Sequence, residues 1–335
     1  MQKTDVLCLG RERRPYYIVA PAYTRYSAGV KVLHRLCHLL NVQGQSAFLV
    51  TCGVNPDLVT PVLNDPIVDA HYRQKRTPIV VYPERLAGNP LHGRCVARYL
   101  LNYPGLLGGP RAFEASDLLV WYTENMKKDC QCDGPVLSIS AVDAEVFIPP
   151  PEGTRREGSC FYAGKFRRRS GEELSPITQN SVEIPSGGDE EESQDELAAL
   201  FQRSEVFYCY EASSLAVEAV LCGCPTVLLP SRFFSKPVID PMNWTGVAWG
   251  NSPEEVERAR RTVGQARERY ELWQQQTLDQ LEGFVEWTQR KARQTAYVEK
   301  IRLVDPYASR RSVRRRFERG CRNAWRALLG RSPRS

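Results

Sequence analysis

Short apolar segments alternate along the chain with amphipathic segments, and this alternation limits the folds that the chain can adopt. Residues 16–20 (YYIVA) have the composition of a buried strand, and residues 28–42 carry apolar side chains on one face at helical spacing. The pattern predicts further strands at 46–51, 78–82, 117–122 and 135–139 and helical stretches near 92–102 and 123–129. Alternating strands and helices predict a parallel, doubly wound α/β sheet.

A proline-rich segment divides this pattern into two halves. Residues 148–158 (IPPPEGTRREG) hold three prolines and two glycines, which indicates a linker. Beyond it, strands are predicted at 159–163, 181–184, 205–210, 225–229 and 246–249 and helices at 194–203, 213–222 and 253–300. We therefore expect a Rossmann-like domain over residues 1–150, a second over 159–305 and a separate tail over 306–335. Ligands bind such sheets outside the carboxyl ends of the strands, so the cleft between the domains is the expected site.

The composition excludes several classes of protein. With 335 residues, 42% of them hydrophobic and 25% charged, the chain fits a soluble globular protein of about two domains. It has no apolar run of the ~18 residues that span a bilayer and no signal-peptide pattern, so a cytoplasmic location is expected. The eleven cysteines form no Cys-x-x-Cys pair. His34 and His38 could bind a metal, but no third ligand is visible, and no metal or cofactor is expected.

Basic charge is concentrated at the C-terminal end. Residues 306–335 hold ten arginines and one glutamate, which is a net charge of +9. Because the whole chain has a net charge of +6, residues 1–305 carry a net charge of −3. Apolar residues recur there every three or four positions, from Val313 to Leu328, and include Trp325. This predicts a basic amphipathic helix on an anionic membrane surface, at the inner face of the membrane. Nucleic acid is the alternative partner, but no binding module accompanies the arginines, and a tail packed on the protein body is a further alternative.

Residues 208–230 (YCYEASSLAVEAVLCGCPTVLLP) contain the clearest candidate site. The strand predicted at 205–210 delivers Glu211 to its carboxyl end, and Ser213 and Ser214 can then cap the following helix. The amino end of a helix favours a phosphate group. Glu218, one to two turns into that helix, could accept hydrogen bonds from a ribose. A plain strand–helix–strand unit with capping serines is the alternative interpretation.

Four segments together resemble GT-B-fold glycosyltransferases of bacterial cell-surface polysaccharide pathways. They are RYSAGVKVLHRLCHLLNVQG (25–44), VDAEVFIPP (142–150), FYAGKF (161–166) and the 208–230 stretch. In that stretch the signature positions are held by Glu211, Ser213, Ser214, Glu218, Ala219, Gly223, Pro225 and Thr226. Six residues separate the two glutamates, where seven are commonest in the family. The resemblance implies two Rossmann-like domains that face each other across a cleft.

The resemblance also implies roles for individual residues. Glu218 would hold the donor ribose, and Glu211 would reach a hydroxyl of the donor sugar. The remaining donor-binding residues would contact the diphosphate: Gly29, Lys165, Arg167 or Arg168, Ser213 and Ser214. The residues themselves offer Glu84, His92 and His34 as candidates for a base that deprotonates an acceptor hydroxyl.

The expected function is therefore transfer of a sugar from a nucleotide-sugar donor to a glycan or lipid-linked acceptor in surface polysaccharide synthesis. The sequence contains no Asp-x-Asp, which predicts a metal-independent enzyme. A sugar-nucleotide epimerase of similar fold and a non-catalytic glycan- or nucleotide-binding subunit are the alternatives. A nucleic-acid partner is not expected.

Overall fold

A computed structural model describes residues 13–24, 27–185, 193–232, 234–235, 245–297 and 299–307, without the side chains of Arg168 and Arg169. The amphipathic helix predicted in the tail lies outside these residues, apart from the tail's first two positions. Within the described part of the chain, no helix has the length and apolar character needed to cross a membrane.

The first half of the chain forms a five-stranded parallel sheet in the order β2-β1-β3-β4-β5. Its strands are β1 (Tyr16–Val19), β2 (Ala47–Val50), β3 (Ile79–Pro83), β4 (Cys95–Leu100) and β5 (Leu118–Trp121). Tyr16 and Ile18 face one hydrophobic cluster, and Tyr17 and Val19 face another. Both faces of the sheet are therefore covered, which explains why its strands are apolar except for Arg98 in β4.

Three helices accompany this sheet: α1 (Ala28–Val42), α2 (Asp65–Arg73) and α3 (Glu124–Cys130). Each begins at a polar residue whose side chain accepts a hydrogen bond from the first turn: Ser27, Asn64 and Thr123. The bounds predicted for the first helix, 28–42, are confirmed.

Two predictions in this half are wrong. The stretch 92–102 is not helical but contains β4, whose six residues are all buried. A strand buried on both faces shows no alternation, and Arg98 within it is held by Asp117 at 2.6 Å, so its charge does not mark a solvent face. The strand predicted at 135–139 is reduced to a single bridge between Val136 and Trp121.

The second half forms another parallel sheet, in the order β10-β9-β8-β6-β7. Its strands are β6 (Ser159–Tyr162), β7 (Val182–Glu183), β8 (Val206–Cys209), β9 (Thr226–Leu228) and β10 (Val247–Trp249). The helices within this half are α4 (Gly164–Arg169), α5 (Gln194–Arg203) and α6 (Leu215–Leu221), with a 3₁₀ turn at Pro176–Thr178. Hydrophobic clusters again cover both faces. The predicted fold class, α/β with two Rossmann-like doubly wound domains, is confirmed.

The helical stretch predicted at 253–300 is divided and shorter. It consists of α7 (Pro253–Thr262), a 3₁₀ turn (Val263–Gln265) and α8 (Ala266–Arg293). The first half of α8 packs Tyr270 and Trp273 into the core of the second sheet, and its last turns pack Leu281, Phe284 and Ala292 into the core of the first. One helix therefore joins both hydrophobic cores. The domain limits at 1–150, 159–305 and 306–335 stay a prediction.

Candidate active site

The carboxyl ends of β6 and β8 bring together two of the predicted site residues. Glu211, which follows β8, is buried, and its Oε2 accepts a hydrogen bond of 2.8 Å from the backbone N–H of Lys165. The Lys165 ammonium lies 3.4 Å from the other carboxylate oxygen, and its side chain is 39% exposed. The carboxylate therefore caps the first turn of α4 and holds the lysine at the rim of the site.

Gly164 makes this close approach feasible. Its φ of +48° lies in the left-handed region. A β-carbon at this position would lie 2.5 Å from the Tyr162 ring and 2.7 Å from Oε1 of Glu211. Both the backbone conformation and the space favour glycine, so the β6–α4 turn depends on this residue.

Glu218 forms an ion pair that joins the two halves of the molecule. Its Oε1 lies 3.4 Å from the ammonium of Lys31 on α1, and the two side chains are 4% and 7% exposed. Burial raises the pKa of Glu218, and the Lys31 ammonium and the Ser214 hydroxyl offset part of that effect. The second predicted glutamate is therefore held by a cation from the other domain.

The two serines lie at the start of α6, as predicted. The Ser213 hydroxyl accepts a 3.3 Å hydrogen bond from the backbone N–H of Leu215. The Ser214 carbonyl accepts one of 3.0 Å from the backbone N–H of Glu218. The Ser213 side chain therefore orders the turn between β8 and α6, whereas Ser214 precedes α6 without a side-chain capping hydrogen bond, contrary to the prediction. Both serines are half-buried, so the turn remains accessible.

Three further donor-binding candidates are placed differently. Gly29 lies in the first turn of α1, where a β-carbon would touch the Leu101 side chain at 3.5 Å, an ordinary contact. Arg167 is paired with Glu183 on β7 at 2.7 Å, with both side chains about half exposed. Arg167 is thus engaged on the outer side of α4 and does not join Lys165 and Glu211. The side chain of Arg168 lies outside the described residues.

Glu84 directly follows β3 and is buried. Its Oε2 accepts a 3.3 Å hydrogen bond from the backbone N–H of Leu101, which follows β4. Burial raises the pKa of Glu84 to about 7, although hydrogen bonds from backbone N–H groups lower the pKa and offset part of this effect. Leu101 also lies beside the first turn of α1 through Gly29. Glu84 is therefore at the edge of the first sheet that faces the start of α1.

His92 is not brought together with Glu84. It is exposed on the segment that leads into β4. Because β3 and β4 are parallel, with Ile79 opposite Cys95, residues before β4 lie at the amino-terminal edge of the sheet, away from Glu84. Because residues 89–93 follow Glu84 closely in the sequence, the sequence predicts that His92 lies near Glu84, and the parallel pairing of β3 and β4 shows that this prediction is wrong.

The two histidines of α1 contact different loops. The His34 side chain is buried and its Nε2 donates to the carbonyl of Pro21 at 3.1 Å. His38 accepts a 3.0 Å hydrogen bond at Nδ1 from the backbone N–H of Val59. Burial lowers the pKa of both imidazoles. Both side chains are thus engaged in contacts that order the flanking loops.

A cavity of about 320 Å³ lies between the two domains beside Lys165 and Glu211. The first domain contributes the segment from Asn102 to Leu107, and Asp129 and Cys130 at the end of α3. The second domain contributes, besides the ion pair, Ala212, Arg232, Phe234 and Ser235. Apolar walls therefore surround a few charged groups, which is the usual character of a small-molecule site.

Sequence reasoning did not find Lys31 or the wall formed by residues 102–107. Lys31 had a visible signal, since it is a charged residue within a run of apolar side chains on α1. The 102–107 segment had a weaker one, because two adjacent leucines in a loop rich in glycine and proline suggest an exposed apolar surface.

No protein-family model matches the sequence, and no curated protein matches it. Several solved structures resemble the chain at low identity. The glycosyltransferase SnogD from Streptomyces nogalater is 13% identical, with 82% of this chain and 99% of that chain covered and a TM-score of 0.39. The rhamnosyltransferase SpnG complexed with thymidine diphosphate is 10% identical, with coverages of 85% and 97% and a TM-score of 0.36.

A protein from Listeria monocytogenes described as a UDP-N-acetylglucosamine 2-epimerase is 10% identical, with coverages of 90% and 95% and a TM-score of 0.41. The two parallel five-stranded sheets themselves establish the fold.

Proposed function

We propose that the protein is a glycosyltransferase that moves a sugar from a nucleotide-sugar donor to a glycan or lipid-linked acceptor. One observation carries this proposal. Two buried glutamates, Glu211 and Glu218, flank the turn between β8 and α6, each is paired with a lysine at 3.4 Å, and the first of them borders a cavity between the two domains.

The donor diphosphate would lie at the start of α6. Ser213 and Ser214 are half-buried there, and Lys165 is close, held through Glu211. Departure of a nucleoside diphosphate places negative charge on the leaving oxygen, and a fixed ammonium stabilises that charge. Glu211 then acts as a positioning residue for Lys165, and Glu218 would bind the ribose hydroxyls.

The acceptor would enter the cavity from the side of residues 102–107. Glu84 is the better placed of the candidate bases, because it lies at the carboxyl edge of the first sheet and its pKa of about 7 suits proton transfer near neutral pH. Its hydrogen-bond partner Leu101 directly precedes Asn102, which lines the cavity. His92, at the other edge of the sheet, is the weaker candidate.

The cellular setting is a further part of the proposal. The +9 charge of residues 306–335 would hold the enzyme on an anionic membrane surface at the cytoplasmic face, where lipid-linked acceptors of surface polysaccharides lie. We propose that catalysis is metal-independent, with Lys165 supplying the positive charge that a metal supplies elsewhere.

The test is release of nucleoside diphosphate that depends on an acceptor. Purified protein is incubated with a panel of nucleotide sugars, with and without a lipid-linked glycan fraction, in the presence and absence of EDTA. Release that requires the acceptor and survives EDTA supports the proposal. Interconversion of the donor sugar without an acceptor would identify an epimerase instead, and binding without turnover would identify a non-catalytic subunit.

The matched variants are Lys165→Met and Glu205→Gln. Lys165→Met removes the ammonium from the rim of the cavity and should lower turnover far more than donor affinity, because the charge that it stabilises develops during the reaction. Glu205 is exposed and precedes β8 at the opposite end of that strand, so its substitution should leave turnover unchanged.

A further inference from the structure

Two buried ion pairs of this molecule have similar exposure but different geometry. Arg98 and Asp117 lie in one domain, at 3% and 5% exposure, with a distance of 2.6 Å. Lys31 and Glu218 lie in different domains, at 7% and 4% exposure, with a distance of 3.4 Å. Optimal charge-assisted hydrogen bonds have distances of about 2.7–2.9 Å. The first pair thus has the geometry of a permanent contact, whereas the second is a looser contact across a domain boundary.

Glu218 is also the residue that the donor ribose would need. A carboxylate can accept hydrogen bonds from a ribose diol only if its oxygens are accessible, and this side chain is 4% exposed, with one oxygen facing Lys31. The Ser214 hydroxyl is a further partner. In the observed arrangement, α1 of the first domain therefore covers the carboxylate on α6.

We infer that Lys31 competes with the nucleotide sugar for Glu218, so that the ligand-free protein rests with its own donor site occupied. This inference rests on the proposed function. The Lys31–Glu218 contact closes α1 onto α6, and the donor binds the population in which the contact is open. Its apparent affinity is then its intrinsic affinity multiplied by the open fraction.

Lys31 can act in this way because the exchange leaves neither charge without a partner. In the closed state the two charges neutralise each other. In the open state the ribose hydroxyls donate to Glu218, and the Lys31 ammonium becomes accessible to water. An ion pair that is buried only while the domains are in contact can open without leaving an unpaired buried charge, which would be costly.

The inference is tested with Lys31→Met and Lys31→Arg, with Lys291→Met as the control at an exposed position of α8. The probes are the nucleoside diphosphates UDP, dTDP and GDP, each measured singly by calorimetry and stopped-flow. Lys31→Met keeps the length of the side chain without its charge and should bind the preferred diphosphate about tenfold more tightly, mainly through faster association. Lys31→Arg can form a bidentate contact with Glu218, so this variant should bind the preferred diphosphate more weakly than the wild type does.

A second measurement reports on the contact without any ligand. Amide hydrogen exchange in α1 and α6 should increase in Lys31→Met and decrease in Lys31→Arg relative to the Lys291→Met control. Combining Lys31→Met with Glu218→Gln should abolish the gain in affinity, because the two residues then no longer act on each other.

Several results would overturn the inference. If the wild type binds a nucleoside diphosphate and Lys31→Met binds it equally or more weakly, Lys31 does not compete for Glu218, and the proposed donor site survives without it. If no variant binds any of the three diphosphates, the proposed function itself is refuted, and the inference falls with it. The opposite shifts expected for Lys31→Arg keep the test decisive even if Lys31→Met folds poorly.

Discussion

Replacement of Glu84 by glutamine should change the pH dependence of stability in a way that the structure determines. Glu84 is 4% exposed, and burial raises its pKa from 4.5 to about 7. A group whose pKa is higher in the folded state favours folding while it is protonated. That contribution is complete below the unfolded pKa of 4.5 and is lost as the pH rises through about 7. The ionised carboxylate therefore destabilises the wild-type protein at alkaline pH.

The magnitude follows from the difference in pKa. A difference of about 2.5 between the folded and unfolded states, at 1.36 kcal/mol for each pKa unit, corresponds to about 3 kcal/mol. Glutamine retains an oxygen that can accept the hydrogen bond from Leu101 and does not ionise. We therefore expect Glu84→Gln to match the wild type near pH 4.5 and to exceed it by up to about 3 kcal/mol at pH 8.

The assay is guanidinium unfolding at a series of pH values, with Glu114→Gln, an exposed position in the same domain, as the control. The control should follow the wild type at every pH. If the midpoints of Glu84→Gln run parallel to those of the wild type throughout, the carboxyl is not buried as described and the reasoning fails. In the wild-type enzyme, kcat/KM should rise with pH through about 7 if Glu84 is the base, and Glu84→Gln should remove that rise.

Three further outcomes are expected. Gly164→Ala should lower the free energy of unfolding by at least about 1 kcal/mol more than Gly171→Ala does. Both glycines have positive φ, which costs alanine a similar amount at each site, but only at Gly164 would the β-carbon meet Glu211. Equal losses in thermal unfolding would contradict this. Glu218→Gln should weaken binding of the nucleotide sugar more than tenfold in calorimetry and also lower the melting temperature, because it leaves the buried Lys31 ammonium without its carboxylate partner; unchanged affinity in the folded variant would remove Glu218 from the donor site. A chain that ends at Asp305 should stay folded and no longer sediment with anionic liposomes, because it loses about 1 kcal/mol of membrane-binding free energy for each arginine of the tail. If it unfolds, or still sediments, the tail does not bind the membrane as proposed.

The parts of the fold that the sequence predicts well are those controlled by neighbouring residues. The helix at 194–203 is observed at Gln194–Arg203, because Ser193 and Glu196 form a capping box that fixes its start. The helix α2 was not predicted, although Asn64 followed by Asp65 and a proline is a local start signal.

The parts that the sequence does not predict depend on distant residues. Arg98 lies in a buried strand within 92–102, and this is possible because distant groups hold its guanidinium: the Asp117 carboxylate, nineteen positions away, and the carbonyls of Leu86 and Gly88. The contact between Lys31 and Glu218 joins positions 187 apart. No periodicity reports such a pairing, so the motif around Glu218 predicted the residue and its turn but not the cation that covers it.

The path of α8 has a consequence for how the protein is made. The core of the first sheet includes Leu281, Phe284 and Ala292, which are synthesised long after the sheet's last strand. A ribosome therefore releases the N-terminal strands well before the side chains that complete their core exist. Until α8 emerges, that surface of the nascent first domain stays uncovered and open to chaperones. Folding of the first domain is therefore complete only after translation has passed through the second sheet and α8 has been synthesised.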